Sequence, residues 1–124
     1  MSVRTFTVPG TPRPKGRPRL GRYGNVYTPT STKVYERKVL VFARKAGICV
    51  EPGPFTVTIS LWFPDLRRRD VDNCAKGIID ALNGIAWADD VEVEKLVAVR
   101  HQVDRKEPRA EVTIESAPVD ERRK

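Results

Sequence analysis

Pro54-Phe-Thr-Val-Thr-Ile-Ser-Leu-Trp-Phe63 is the stretch that decides the fold. Phe55, Val57, Ile59, Leu61 and Phe63 alternate with Thr56, Thr58, Ser60 and Trp62, the period of two that defines a strand with one apolar face. Pro64-Asp65 ends it, and a basic run, Arg67-Arg68-Arg69, follows. From about Asp72 to Gly84 the period changes. Ala75, Ile78, Ile79 and Leu82 fall at i, i+3, i+4 and i+7, one buried stripe of a helix, with Asn73, Lys76, Asp80 and Gly84 on its other side.

Upstream, residues 3–8 alternate in polarity and read as a first strand, ended by Pro9-Gly10. Residues 9–29 are rich in proline, glycine and basic side chains, a composition for a stiff extended arm or a loose hairpin near Tyr23-Gly24-Asn25. A helix is predicted from an N-cap at Thr30 or Ser31 to about Ala46, where Gly47 stops it; Val34, Val39 with Leu40, and Phe42 with Ala43 mark its inner side, and Lys38, Arg44 and Lys45 its outer face. Downstream, Glu92–Val103 and Arg109–Glu115 read as two strands of an antiparallel hairpin, turning around Lys106-Glu107-Pro108. The order β, basic loop, α, β, α, β, β predicts an α/β (α+β) fold in one small domain spanning residues 1–124, a mixed sheet packed with two helices. Strand order stays open, and residues 117–124 read as a flexible tail.

A chain of 124 residues suits one domain with a real core. With 40% hydrophobic and 31% charged residues it is not a disordered composition. No apolar run reaches the roughly 20 residues that span a bilayer, and Met-Ser-Val-Arg-Thr-Phe lacks a secretion signal's apolar core, so a cytoplasmic protein is expected. Cys49 and Cys74 have neither CxxC spacing nor a histidine cluster, and read as buried free thiols. The single histidine, His101, falls in an alternating stretch and reads as a packed strand residue.

Charge separates the chain into two parts. The formal net charge is +7, yet residues 1–35 carry Arg4, Arg13, Lys15, Arg17, Arg19, Arg22 and Lys33 and no acidic residue, so the whole excess is N-terminal. A localised positive segment attracts polyanions and makes nucleic acid the leading partner.

The acidic residues are spaced differently. Asp70 and Asp72 are two apart and would share a side in extended chain, and Asp72 is also placed to cap the helix. Asp89-Asp90 return after the helix, and a helix packed back on the sheet could bring all four together. Carboxylates so gathered repel one another unless a cation holds them, and oxygen-only ligands favour magnesium over zinc. Such a site hydrolyses phosphodiesters by polarising phosphate, activating water and stabilising the leaving oxygen. Lys76, one turn past Asp72, could orient a phosphate, and Arg67, Arg68 and Arg69 could hold the strand beside it. Taken singly, each is weaker: Asp72 is more often a cap, Asp89-Asp90 an ordinary turn, Lys76 a solvated helix residue. An EF-hand is excluded, since counting from Asp70 puts Cys74, Ala75 and Ala81 where a ligand, a glycine and a glutamate are needed.

Asp70-Val-Asp72-Asn73-Cys-Ala-Lys76-Gly-Ile-Ile-Asp80-Ala-Leu82, followed by Trp87-Ala-Asp89-Asp90, resembles the RusA family signature DxDNxxKxxxDxL and its spaced DD. Gly10-Thr-Pro12-Arg13-Pro14-Lys15-Gly-Arg17-Pro18-Arg19 resembles the proline-and-arginine opening of many members. The resemblance implies a homodimeric endonuclease that binds four-way (Holliday) junctions and, with magnesium or manganese in its place, nicks two opposing strands symmetrically in recombination and repair. It implies Asp70, Asp72 and Asp90 as metal-binding catalytic carboxylates, Lys76 as an essential basic residue and Asp89 as a supporting ligand. The spacer before the acidic pair is one residue shorter than in some members, which leaves open whether Asp89 or Asp90 is the main ligand. Arg13, Lys15, Arg17, Arg19, Arg22, Arg67, Arg68 and Arg69 are the expected DNA contacts. Two other readings stay in view: the same chemistry on flaps or forks, and a non-catalytic DNA-binding protein whose acidic residues only stabilise the fold.

Overall fold

The computed structural model describes residues 3–16, 19–27 and 30–117; the expected tail, apart from Ala117, lies outside them. Strand β1 (Val3–Pro9) is followed by a short hairpin, β2 (Arg19–Leu20) and β3 (Val26–Tyr27), and by helix α1 (Thr30–Lys45). Then come β4 (Phe55–Trp62), α2 (Val71–Leu82), a single 3-10 turn (Asp90–Glu92), β5 (Val93–Arg100) and β6 (Arg109–Ser116). Four strands form one sheet in the order β1-β6-β4-β5. Of the extended arm and the hairpin that the sequence left open near Tyr23, the hairpin is present, with Leu20 opposite Val26.

The alternation that opens the reading is observed directly: Phe55, Val57, Ile59 and Leu61 are buried at every second position of β4. Each fully buried side chain of this kind contributes about 1.5–3 kcal/mol relative to exposure. The stripe on α2 is buried with them, and Trp87 closes the same core with its ring 6.0 Å from that of Phe55. Trp62 is the exception on β4. On the open side of the sheet it is sandwiched between the imidazole of His101 at 4.3 Å and the guanidinium of Arg109 at 4.0 Å. His101 is therefore packed, but just past the end of β5 rather than within it.

Three expectations are corrected. First, Glu92–Val103 and Arg109–Glu115 do not form a hairpin: β5 pairs parallel with β4, and β6 pairs antiparallel with both β4 and β1. Helix α2 carries the chain back along the sheet, so β5 must start beside the start of β4, as in any βαβ crossover. The connection 101–108 then follows the far end of β4, where His101 N donates to Leu61 O and Asp104 N to Phe63 O, before crossing to its other side. There Ala110, Val112 and Ile114 lie opposite Leu61, Ile59 and Val57, buried position against buried position. The alternation of β6 matches two neighbours and earns it an inner place, while β5, with little alternation, takes the edge.

Second, the buried stripe of α1 runs Thr32, Tyr35, Val39 and Ala43, and Val34 is 60% exposed. Val34 lies one position, about 100°, away from Tyr35, which is where a stripe read from valines alone goes astray. The helix ends as expected, with Gly47 at φ 81° and Ile48 N donating to Ala43 O. Third, of the two free thiols only Cys74 is buried; Cys49 is exposed. Burial pushes the Cys74 thiol up to about 11, so it is a packing group and not a nucleophile. Among the described residues, no helix is long and apolar enough to cross a membrane.

Candidate active site

The turn between β4 and α2 positions the acidic motif. Asp65 accepts from Arg67 N at 3.0 Å and from the Arg69 guanidinium at 2.6 Å, which hold its carboxyl down at about 2. Arg69 also lies over the Phe63 ring at 4.6 Å. Arg100, at the end of β5, lies over the same ring at 4.7 Å and donates to the carbonyls of Asp65 and Arg67 at 3.2 and 3.0 Å. This clamp presents Asp70 at the end of α2 in a shallow cleft shared with Arg68, Arg69 and Arg100. Sequence reasoning missed Arg100, because only the parallel pairing of β4 with β5 brings it to this turn.

Asp70, not Asp72, is the N-cap: its backbone is extended and its side chain accepts from Asn73 N at 3.2 Å. Asp72 is thereby left free of the capping role and lies exposed on the first turn. With Lys76, Ala75 and Ile79 it lines one wall of a groove of about 570 Å3, whose other wall is Leu96, Val97 and Ala98 of β5. Asp70, Asp72 and Lys76 are thus brought to one end of α2, as the motif's spacing suggests.

Asp89 and Asp90 are not brought to the same place. Asp89 caps the 3-10 turn, accepting from Val91 N at 3.2 Å, with Glu92 closing a capping box. Asp90 accepts from the buried Trp87 indole N–H at 2.8 Å. Backbone amides of Gly53, Asp89 and Ala88 hold the Glu92 carboxyl below its ordinary value. This cluster follows the C-terminal end of α2, a helix of 12 residues and therefore about 18 Å long, whereas Asp70 and Asp72 stand at its start. Packing α2 back on the sheet separates the pairs instead of joining them. Among the described residues, no three or more His, Cys, Asp and Glu side chains gather to hold a metal ion.

The basic residues also divide. Lys15 is tied into the body: its ammonium bonds the Asp80 carboxylate and lies 3.6 Å from Glu36, and its backbone N donates to Asn73 O at 3.1 Å. The bond to Asp80 raises the Lys15 pKa. Asp80, a fixed position of the motif, therefore anchors the N-terminal segment against α2, where the Lys15 backbone passes beside Gly77. Arg69 is similarly committed to Asp65 and Phe63. Arg67, Arg68, Arg13 and Arg22 are exposed, with Arg13 beside Thr11, Ser31 and Lys38. Arg17 and the side chain of Arg19 lie outside the described residues.

The mixed four-stranded sheet thus offers a helix start with two carboxylates and a lysine beside an arginine-lined cleft, the residue types that phosphodiester chemistry uses. The model of the endodeoxyribonuclease RusA family matches residues 9–115, and the chain belongs to that family. It is 30% identical to a crossover junction endodeoxyribonuclease RusA from Shigella sonnei, over 92% of this chain and 95% of that protein. It is 31% identical to the crossover junction endodeoxyribonuclease of Enterobacteria phage 82, over 81% and 78%, and 30% identical to the uncharacterized protein YqaN of Bacillus subtilis, over 88% and 93%.

Proposed function

We propose that this chain resolves four-way DNA junctions by paired symmetric nicks, as a magnesium-dependent homodimer acting in recombination and repair. The observation that carries the reading is the first turn of α2. There Asp70 and Asp72, with Lys76 one turn on, open onto a groove and a cleft bordered by Arg68, Arg69 and Arg100. Arg68 and Lys76 bind and orient the phosphate; Asp70 keeps the helix start in place while leaving one carboxylate oxygen outside its capping bond.

The donor set suits a hard divalent ion, since it consists of carboxylate oxygens. When bound, such an ion neutralises charge on the phosphoryl oxygens and favours attack by water. Among the described residues, one chain brings Asp70 and Asp72 to this end of α2, while Asp89 and Asp90 lie beyond the far end. A second copy, related by a two-fold axis, completes the set when its Asp89 and Asp90 face Asp70 and Asp72 of the first. Edge strand β5 supports this arrangement: Leu96 is 47% exposed beside the groove, and Val91 and Val99 are exposed along the same segment. Two such sites also meet the need for two symmetric cuts.

Mixing Asp72→Asn with Asp90→Asn protein tests the reading. In a site shared between copies, each mixed dimer holds one intact site, so about a quarter of the sites recover and single nicks appear. If the mixture stays as inactive as its components while the wild type cleaves, the site is not shared.

A further inference from the structure

We infer that the β2–β3 hairpin is a nucleobase-stacking element, and that Tyr23 at its tip stacks on a base exposed at the branch point of the DNA. This rests on the proposed reading and adds to it the residue that tells branched DNA from duplex.

The hairpin is built to project. Its ladder is two residues long on each side, closed by Gly21 N to Asn25 O and Gly24 N to Gly21 O, with Gly24 at φ 84°. Leu20 and Val26 stand directly opposite each other, yet are 74% and 70% exposed, and Tyr23 is 91% exposed. Three large apolar groups on one short hairpin therefore add nothing to the core. A hairpin of this size gains little stability of its own, so these side chains face solvent until something covers them.

Charge selects the occupant. Tyr23 adjoins the exposed Arg22 within a segment that has seven basic residues and no acidic one. That pairing of cations with an aromatic ring fits phosphate and base together, since bases stack on aromatic rings while basic groups follow the backbone. Apolar groups inserted between base steps unstack them, and a branch point, where stacking is already interrupted, is the least costly place to do so.

The root of the hairpin places it near the acidic motif. Gly16 N donates to Thr32 Oγ1 at 2.8 Å, and Lys15 N to Asn73 O, which lies between Asp72 and Lys76 on the first turn of α2. From Gly16 the seven residues to Tyr23 reach at most about 25 Å. A base held by Tyr23 thus belongs to the same stretch of DNA whose phosphate meets Asp72 and Lys76.

The test uses full-length protein without magnesium, a four-way junction and a linear duplex of the same sequence. 2-Aminopurine is placed either at the branch point or in the middle of an arm. Wild-type protein is expected to change emission at the branch point only. Tyr23→Ala should abolish that change and weaken junction binding about tenfold, within the range for one aromatic–base stack, with duplex binding altered less than twofold. Tyr23→Trp should restore both. Equal loss on junction and duplex, or an unchanged branch-point signal with Tyr23→Ala, overturns the inference while leaving junction cleavage by the wild type standing. A change in oligomeric state with Tyr23→Ala assigns the hairpin to a second copy and also overturns it. Failure of the wild type to prefer the junction at all overturns the functional reading, and this inference with it.

Discussion

At the N-terminal end of α2, Asp72 makes no hydrogen bond or ion pair to a described residue and faces an open groove. At the other end Asp89 caps a turn and Asp90 is held by the Trp87 indole N–H. At one end Asp72 is left free beside the capping Asp70, and at the other both carboxylates are held. In the proposed reading this contrast is a division of labour, in which the Asp70–Asp72 end would hold the cation that meets phosphate and the held pair of a second copy would complete its ligands.

The largest expected effect breaks this comparison at its exposed end. Asp72→Asn should lower junction cleavage on the order of a thousandfold, the several kcal/mol a metal-centred step supplies, with junction binding retained. Single-turnover cleavage and a gel-shift titration read the two separately, and near-normal cleavage would remove Asp72 from the site. Trp87→Phe addresses the oriented end. It removes the donor to Asp90 and part of a fully buried side chain, so stability should fall by about 1–3 kcal/mol and cleavage by about tenfold, from misorientation. Denaturant melts and cleavage below the transition distinguish the losses; undiminished cleavage would make the indole bond irrelevant to the site.

A second contrast, between basic residues that bind within the protein and those that face outward, predicts smaller effects. Lys15→Met leaves Asp80 half-buried and unpaired, and should cost about 1–2 kcal/mol of stability with no change in the salt slope of DNA binding. Arg68→Ala should leave stability unchanged and reduce that slope by about one. The reverse pattern would exchange their roles. The smallest effect concerns Asp65, whose carboxyl is held at about 2 by Arg69 and Arg67. A depressed carboxylate contributes stability above its ordinary value and loses it as pH falls towards 2. An acid titration of Arg69→Gln should therefore show the turn before α2 loosening at higher pH than in the wild type.

The elements were legible where burial repeats locally. Alternation in β4 and the Ala75-Ile78-Ile79-Leu82 stripe of α2 are visible because each side chain's environment is set by neighbours within one or two turns. The pairing of β5 and β6 was not, because adjacency in sequence suggested a hairpin while the return along α2 dictated parallel pairing. The same non-local step hid Arg100 and separated Asp89 and Asp90 from Asp70 and Asp72. Lys15 read as a DNA contact, and its ties to Asp80 and Glu36 were not visible because those partners come from two different helices. The choice of Asp70 over Asp72 as cap turned on two residues at the helix start, finer than apolar periodicity resolves.

One consequence follows from β6 lying between β1 and β4. Val3 pairs with Glu115 and Pro9 with Arg109, so β1, made before β6, has no partner in this sheet until β6 has been made. Contacts so distant in sequence slow folding, and until β6 is made the β1 edge that pairs with it has no partner, even though α1, made earlier, packs against the Phe6 and Val8 side. The sheet closes as a late, single event, and a chain interrupted before Arg109 would lose the strand that joins β1 to the rest.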